Sequence, residues 1–374
     1  MAAKVYFADM RSNEKQSLLD KVGKLYRRTG IGSIVAKNDL VAVKLHFGER
    51  GNTTYIRPQF IRRLVDLIRN SGGKPFLTDA NTLYVGGRSN AVDHLETAVL
   101  HGFDYAVAGA PVIIADGLTG KDYVEVPVDL KHFKTVKIGS AAYHADALLV
   151  VSHFKGHIAT AFGGVLKNVG MGLGSRSGKQ MMHSDLLPEI SPEKCRSCGR
   201  CMRWCPAGAI SFTREQPDNP GPARIDASKC LGCGECTVTC THGAIASNWK
   251  TEPDIMQEKI AEYSWGVLKD KKGKAAFITF LNNVTPDCDC CGWSEAPIVP
   301  DIGILASRDP IALDQACVDL VNGERGLSAS RMAGHEDSPD KFRALFPNVD
   351  WSRQLAYGEE LGLGIRQYQL VRVK

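Results

Sequence analysis

The sequence predicts an α/β fold with a mostly parallel sheet, interrupted in mid-chain by a smaller cysteine-rich module. Apolar runs alternate with helical patterns on both sides of this module, and the module itself contains an internal repeat. The 374 residues are 44% hydrophobic and 23% charged, which is ordinary for a globular protein. A chain of this length can bury a substantial core.

Before the module, strand-like runs are followed three times by helical patterns. The pairs are 4–9 with 13–28, 39–47 with 56–73, and 75–79 with 90–103. Two further apolar runs, at 111–116 and 147–154, precede a glycine-rich segment. Alternation of this kind predicts βαβ units and a parallel sheet.

After the module the same pattern resumes, with a helix within 252–270 and strands at 274–281 and 301–307. Asp309 followed by Pro310 predicts the start of a further helix that runs to 323. We therefore predict one discontinuous α/β domain, made of residues 1–188 plus 251–374. Residues 189–250 would form an inserted α+β domain. The alternative is three consecutive domains.

The module repeats one cysteine pattern, C-x2-C-x2-C-x3-C, at an offset of 35 residues, in 195–211 and 230–246. Residues 189–250 thereby resemble a bacterial two-cluster ferredoxin, in which the fourth cysteine of each repeat ligates the other cluster. Zinc knuckles or a disulfide knot are the alternatives. We expect two 4Fe-4S clusters, one held by Cys195, Cys198, Cys201 and Cys240 and the other by Cys230, Cys233, Cys236 and Cys205. Thr241 stands where the first repeat has Pro206, which puts the local turn in doubt.

Composition argues against two classes of partner and favours a reducing compartment. The net charge is only +5 with dispersed basic residues, so we expect no nucleic-acid surface. No apolar run approaches the ~18 residues of a membrane helix. Asp9 and the polar residues after it argue against a secretory signal. Because cluster ligands must be thiolates, we expect the cytoplasm and low oxygen.

Polar residues follow the apolar runs at the predicted strand ends, where open α/β sheets bind ligands. Singly, such residues are ordinary solvated groups or turn caps, as Asp79 and Asn81 could be. Here separate strands end alike, in cations and carboxamides. Several lysines in one cleft would suit an anionic small molecule, a carboxylate or a phosphate. The catalytic candidates are His153, Lys155, His157, Lys167, Asn168, Lys44, His46 and Asp79.

The glycines of 170–180 do not form a nucleotide-binding motif. No glycine lies five positions before Gly178, and Gln180 follows Lys179, so the segment is not a Walker A loop. It also lacks the G-x-G-x-x-G spacing and does not follow a strand directly. We expect neither a P-loop nor a Rossmann site.

Three cysteines in TPDCDCCGW (285–293) stand outside the repeat: Cys288, Cys290 and Cys291. They could be core residues, a transient disulfide, or ligands of a metal or substrate. We favour ligation, because soft thiolates beside histidines suit zinc or iron. They could even hold a third cluster with one open iron. Cys317 lies on an apolar helical face and is predicted to be buried.

Four segments together resemble a known family: VVSHFKGH, GGVLKNVGMG, VTPDCDCCGW and DIGILASRDPIALDQACVDL. The chain resembles the "domain of unknown function 362" family, many of whose members carry a ferredoxin insert. The resemblance covers most of the chain. It implies iron–sulfur binding and a redox role, and it supplies no substrate.

Three functions remain open at this point. The first is an oxidoreductase that passes single electrons from two clusters to an anionic small molecule or a further metal centre. A histidine or lysine of the cleft would donate the proton. The second is an electron carrier or adaptor that docks on a redox partner protein. Its surface would include Lys194, Arg196, Arg200 and Arg203. The third is a metal or cluster assembly factor.

Overall fold

The computed structural model describes residues 2–373 except 85, 184–186, 215, 217, 219, 231–232 and 247–250. The strands are β1 (Ala3–Asp9), β2 (Leu40–Lys44), β3 (Lys74–Asp79), β4 (Val112–Ile114), β5 (Tyr123–Pro127), β6 (Thr135–Gly139), β7 (Ala147–His153), β8 (Lys155–His157), β9 (Ala161–Gly163), β10 (Glu189–Ile190), β11 (Ile210–Phe212), β12 (Ala223–Ile225), β13 (Ile245–Ala246), β14 (Ala275–Leu281), β15 (Gly303–Ser307) and β16 (Tyr368–Arg372).

The helices lie between these strands, with two short 3-10 turns at Ile31–Ile34 and Lys269–Lys271. The α-helices are α1 (Leu18–Arg28), α2 (Pro58–Asn70), α3 (Ala91–Leu100), α4 (Tyr105–Ala108), α5 (Ser140–His144), α6 (Val165–Leu173), α7 (Arg176–His183), α8 (Arg200–Arg203), α9 (Glu235–Thr239), α10 (Pro253–Leu268), α11 (Pro310–Gly323), α12 (Lys341–Leu345) and α13 (Ser352–Glu360). Among the described residues, no helix combines the length and apolar character that crossing a membrane requires.

Strands from both sides of the cysteine-rich segment share one eight-stranded sheet, in the order β16-β1-β15-β14-β7-β2-β3-β4. Neighbours run parallel from β14 through β7, β2 and β3 to β4, and β16 runs parallel to β1. Strand β15 is antiparallel to both of its neighbours. The predicted α/β class with a mostly parallel sheet is confirmed.

The sheet is covered on both faces, which explains the apolar run at 147–151 in the interior strand β7. All residues of β7 are buried. Leu148 and Val150 point into one apolar core, and Leu149 and Val151 into the other. Successive side chains of a strand point to opposite faces of the sheet, and in β7 both faces are buried. Helices α6, α10 and α11 line the first core, and α1 and α2 the second.

The cysteine-rich segment forms small elements of its own. β10 pairs with β13 and β11 with β12, both antiparallel, and α8 and α9 lie among them. Ile210, Ala223 and Ile245 form a small apolar core with Cys201 and Cys236. Residues 184–186 and 247–250, beside the predicted junctions, lie outside the described residues. The predicted domain boundaries therefore stay a prediction.

Candidate functional site

A cavity of about 110 Å³ opens where β2, β3 and β7 end at the same edge of the sheet. Parallel strands bring the residues at their carboxyl ends together. His46 follows β2, Asp79 ends β3, and Lys155 follows β7. The candidates from the sequence that line this cavity are His46, Asp79, Lys155, His157, Lys167 and Asn168.

Lys44 lies beneath the cavity wall and is fully buried. Its Nζ lies 3.0 Å from Oδ1 of Asp79 and donates to Oδ1 of Asn168 at 2.6 Å. A Cβ at Gly172 would stand 2.6 Å from that Nζ, so glycine leaves the space for the ammonium. Burial lowers the pKa of Lys44, although the carboxylate of Asp79 opposes the shift. Lys44 thus orients two residues of the lining.

Two further polar residues singled out in the sequence, His153 and Asn81, do not line the cavity. Nδ1 of His153 lies 2.9 Å from Oδ2 of Asp289, and Nε2 lies 2.8 Å from the carbonyl of Asn282. Nδ2 of Asn81 donates to Asp116 at 2.9 Å and to the carbonyl of Gly117 at 2.8 Å. Both side chains make these hydrogen bonds outside the cavity. His153 therefore positions Asp289 and does not contact a ligand in the cavity.

Four charged or aromatic residues of the lining were missed by sequence reasoning: Tyr84, Arg88, Lys179 and His183. Lys179 and His183 are four residues apart on α7 and therefore lie on one helix face. The four-residue spacing of Lys179 and His183 is visible in the sequence, but we tested Lys179 there only as a residue of a phosphate-binding loop. Nothing local marks Arg88, whose burial against Glu49 and Asp79 is a tertiary feature.

Cations dominate the lining at neutral pH. Arg88, Lys155, Lys167 and Lys179 face the cavity. Burial lowers the pKa of Lys179 to about 8, with Asp116 and Asp79 opposing the shift. Burial also lowers the pKa of His183 to about 4 and holds the pKa values of His46 and His157 well below 6.5. The histidines are therefore neutral, and the cavity favours an anion.

The cysteines of the 285–293 segment divide into two kinds. The Sγ atoms of Cys288 and Cys290 and a ring nitrogen of His157 all lie within 4.8 Å of one another. Nζ of Lys167 lies 3.2 Å from Sγ of Cys288. Cys291 is not part of this group. All twelve cysteines of the chain are free thiols, so none of the three forms a disulfide.

Close backbone packing puts His157 beside these cysteines. The N–H of Gly156 donates to the carbonyl of Thr285 at 2.7 Å. A Cβ at Gly156 would lie 2.1 Å from the carbonyl oxygen of Pro286, so only glycine permits the approach. The next residue, His157, is thereby held against the turn that carries Cys288.

The same turn is fixed by Asp289, which is fully buried. Its carboxylate lies 2.9 Å from Nδ1 of His153 and 3.2 Å from Nζ of Lys155. Burial raises its pKa, but the neighbouring His153 and Lys155 hold the pKa well below the usual value of a carboxyl. On the far side, the hydroxyl of Tyr84 donates to the carbonyl of Cys290 at 3.0 Å. The turn is thus anchored from three elements.

In the cysteine-rich segment the structure gathers the eight repeat cysteines into two sets. One pocket is lined by Cys195, Cys198, Cys201 and Cys240, and another by Cys205, Cys230, Cys233 and Cys236. Each set takes three cysteines from one repeat and the fourth from the other. The amides of Ala209 and Ala244, 35 residues apart, donate to Sγ of Cys205 at 3.2 Å and of Cys240 at 3.3 Å. The repeat is therefore a structural repeat.

The second cysteine set, with Cys236, lies against the helix that also borders the cavity. Gly234 packs on Gln180 of α7, where an added Cβ would stand 2.3 Å from Cγ. Glu235 accepts from Nζ of Lys137 at 2.9 Å and from the hydroxyl of Tyr123 at 2.8 Å. Gln180 and Lys179, consecutive residues of α7, thus place this helix between the second cysteine set and the cavity that Cys290 lines.

The family model described as "Domain of unknown function (DUF362)" matches residues 41–319. The chain belongs to this family. The DUF362 match includes strands on both sides of the cysteine-rich segment, the segment itself and the turn with Cys288. No curated protein matches the sequence.

One solved structure that resembles this DUF362 protein is the lactate racemase apoprotein from Thermoanaerobacterium thermosaccharolyticum. The sequences are 12% identical, the alignment covers 74% of this chain, and the TM-score is 0.37. This chain spans 50% of that chain's length.

Proposed function

We propose that this protein is an iron–sulfur oxidoreductase in which two bound 4Fe-4S clusters supply single electrons to a small anion in the cavity. The observation that carries the proposal is the position of α7. One face of this helix contacts the second cysteine set through Gln180, and another lines the cavity through Lys179 and His183.

The donor chemistry of the two sets fits such clusters. Each pocket brings together four free thiols, three in a C-x2-C-x2-C run and one from the other repeat. Cysteine thiolates are the usual ligands of these clusters. The amides that donate to Cys205, Cys195 and Cys240 would stabilise charge on the sulfurs.

The second cysteine set and the cavity border the same helix, α7. Ser177 and Gln180 lie on the side of Glu235 and Gly234, whereas Lys179 and His183 lie on the cavity side. The first cysteine set lies beside exposed basic residues that would receive a redox partner: Lys194, Arg196, Arg200 and Arg203.

The side chains of the cavity bind and neutralise the anion. Lys155 and Lys167 both lie near Gly163 and can hold a carboxylate or phosphate together. Each electron that the anion accepts adds one negative charge, which one proton balances. Lys179 is suited to donate it, because burial brings its pKa to about 8, within reach of neutral pH.

The proposal is tested by reducing the reconstituted protein without oxygen and mixing it with a panel of small carboxylates and phosphates. We expect one class of anion to oxidise the protein much faster than buffer does. Lys179→Met should slow that reaction while the iron content stays unchanged. If only electron-transfer proteins oxidise it, the chain is a carrier and the enzymatic proposal is wrong.

A further inference from the structure

We infer that His157, Cys288 and Cys290 bind a single divalent ion, Zn²⁺ or Fe²⁺, whose open coordination position faces the cavity. These residues belong to neither set of four cysteines in the 195–240 segment. The inference deepens the proposed function by adding an electrophile to the anion site. It can nevertheless stand or fall separately, because its ligands are different.

The spacing of the three ligand atoms suits one small ion. They lie within 4.8 Å of one another before any ion is bound. Around a tetrahedral Zn²⁺, with Zn–S near 2.3 Å, such atoms stand about 3.6–3.8 Å apart. The site must therefore contract by only about 1 Å.

The backbone that carries these ligands is already fixed. Gly156 holds His157 against the 285–286 backbone, and the hydroxyl of Tyr84 holds the carbonyl of Cys290. The amide of Cys291 donates to the carbonyl of Cys288 at 2.9 Å, which closes the turn. A preorganised turn loses little conformational freedom when the ion binds.

The surroundings of His157 can direct one nitrogen to the ion. Nδ1 lies 2.9 Å from Oγ1 of Thr160, whose hydroxyl donates to the carbonyl of Phe162 at 2.8 Å. The amide of Ala159 donates to Nδ1 at 3.2 Å while that nitrogen is unprotonated. When Nε2 binds the ion, the ring proton moves to Nδ1, which gives up the bond from Ala159 and donates to Oγ1 of Thr160 instead. Such a partner behind a histidine ligand is usual in metal sites.

Charge is balanced by the release of two protons. Cys288 and Cys290 each lose a thiol proton, so two thiolates neutralise the divalent ion. Nζ of Lys167, 3.2 Å from Sγ of Cys288, then donates to a thiolate. Two thiolates and an imidazole are a borderline-soft donor set, which suits zinc or iron better than magnesium or calcium.

The fourth position is left for a ligand from the cavity. His157 and Cys290 both line the cavity wall, so the ion would face the space where the anion binds. Three protein ligands with one open position is the arrangement of catalytic rather than structural zinc sites. A carboxylate or phosphate oxygen of an anion in the cavity would occupy it.

The test compares metal and sulfide in the anaerobically reconstituted full chain after dialysis against Zn²⁺ or Fe²⁺. Cluster iron is matched by acid-labile sulfide, whereas the inferred ion adds metal without sulfide. We expect one such ion per chain, lost in Cys290→Ser and in His157→Ala. Cys291→Ser is the matched control, since it removes the neighbouring thiol and should keep the ion.

Co²⁺ supplies a second readout that does not depend on counting. Bound in place of the native ion, it should give a thiolate charge-transfer band that disappears in Cys290→Ser and persists in Cys291→Ser. The inference is overturned if metal equals sulfide in the native chain, or if Cys291→Ser loses the ion as fully as Cys290→Ser does. Unchanged cluster iron and sulfide in these variants shows that both sets of four cysteines are intact, so the loss of the ion is separate from any loss of the clusters.

Discussion

The chain has two cysteine-rich regions that are built in opposite ways. In the 195–240 segment, each pocket is lined by four cysteines that short repeats bring together. In the 285–293 segment, two cysteines of one turn meet a histidine about 130 positions earlier in the chain. The first arrangement offers a closed set of sulfurs. The second leaves one side open to a cavity lined with cations.

The contrast explains what could be predicted from sequence. The grouping of Cys195, Cys198 and Cys201 with Cys240 follows from local spacing and a repeat, both of which are visible in the letters. The parallel sheet was also predictable, because apolar runs alternate with helical patterns. Strand β15, antiparallel to its neighbours, carries no local signal for its direction.

Prediction of the cavity was partial for a physical reason. Residues at parallel strand ends converge, so Asp79 and Lys155 could be placed together. The sequence near His157 does not indicate that this residue lies beside Cys288 and not beside Cys291. The sequence near Arg88 likewise does not indicate that this side chain is buried. Both depend on how loops from distant strands pack, as at Gly156 and Pro286.

The largest effect should come from breaking one set of four. Cys236→Ser removes a ligand of the second pocket, and we expect iron to fall from about eight to about four atoms per chain. The remaining iron should belong to the set with Cys198. Cys317→Ser, which changes a buried cysteine of α11, is the control and should keep all the iron. Unchanged iron in Cys236→Ser would contradict the assignment.

The contact of the 195–240 segment with strands β5 and β6 can be loosened at Glu235. Glu235→Ala leaves the buried ammonium of Lys137 without its partner at 2.9 Å. We expect the free energy of local opening at α9 to fall by about 1.5–3 kcal/mol, as for hydrogen bonds to charged groups. Hydrogen exchange of the α9 amides measures it. Lys134→Met breaks an exposed ion pair instead and should change that free energy little.

The pH dependence of substrate reduction should reveal Lys179. Its pKa is lowered to about 8, so the side chain is a proton-bearing ammonium below that pH and neutral above it. We expect the rate to fall about tenfold per pH unit above pH 8, where the proton donor is lost. In Lys179→Met the rate should be low and this alkaline decline absent. A decline that persists in the variant would assign it to another group.

A smaller effect is expected from removing one cation of the cavity. Lys167→Met should weaken the binding of oxalate, used as a probe, about tenfold, which corresponds to about 1.4 kcal/mol. Calorimetry of the native chain and the variant measures it. Lys15→Met removes an exposed lysine of equal charge and serves as the control. Equal weakening in both variants would mean that net charge alone attracts the probe.

The most direct test of the account is to count iron and acid-labile sulfide in the anaerobic protein and to record its EPR spectrum after reduction. The account predicts about eight sulfides per chain, with matching iron in two interacting 4Fe-4S clusters. It also predicts one further metal ion that carries no sulfide. A sulfide-free protein with zinc in both sets of four cysteines would contradict it.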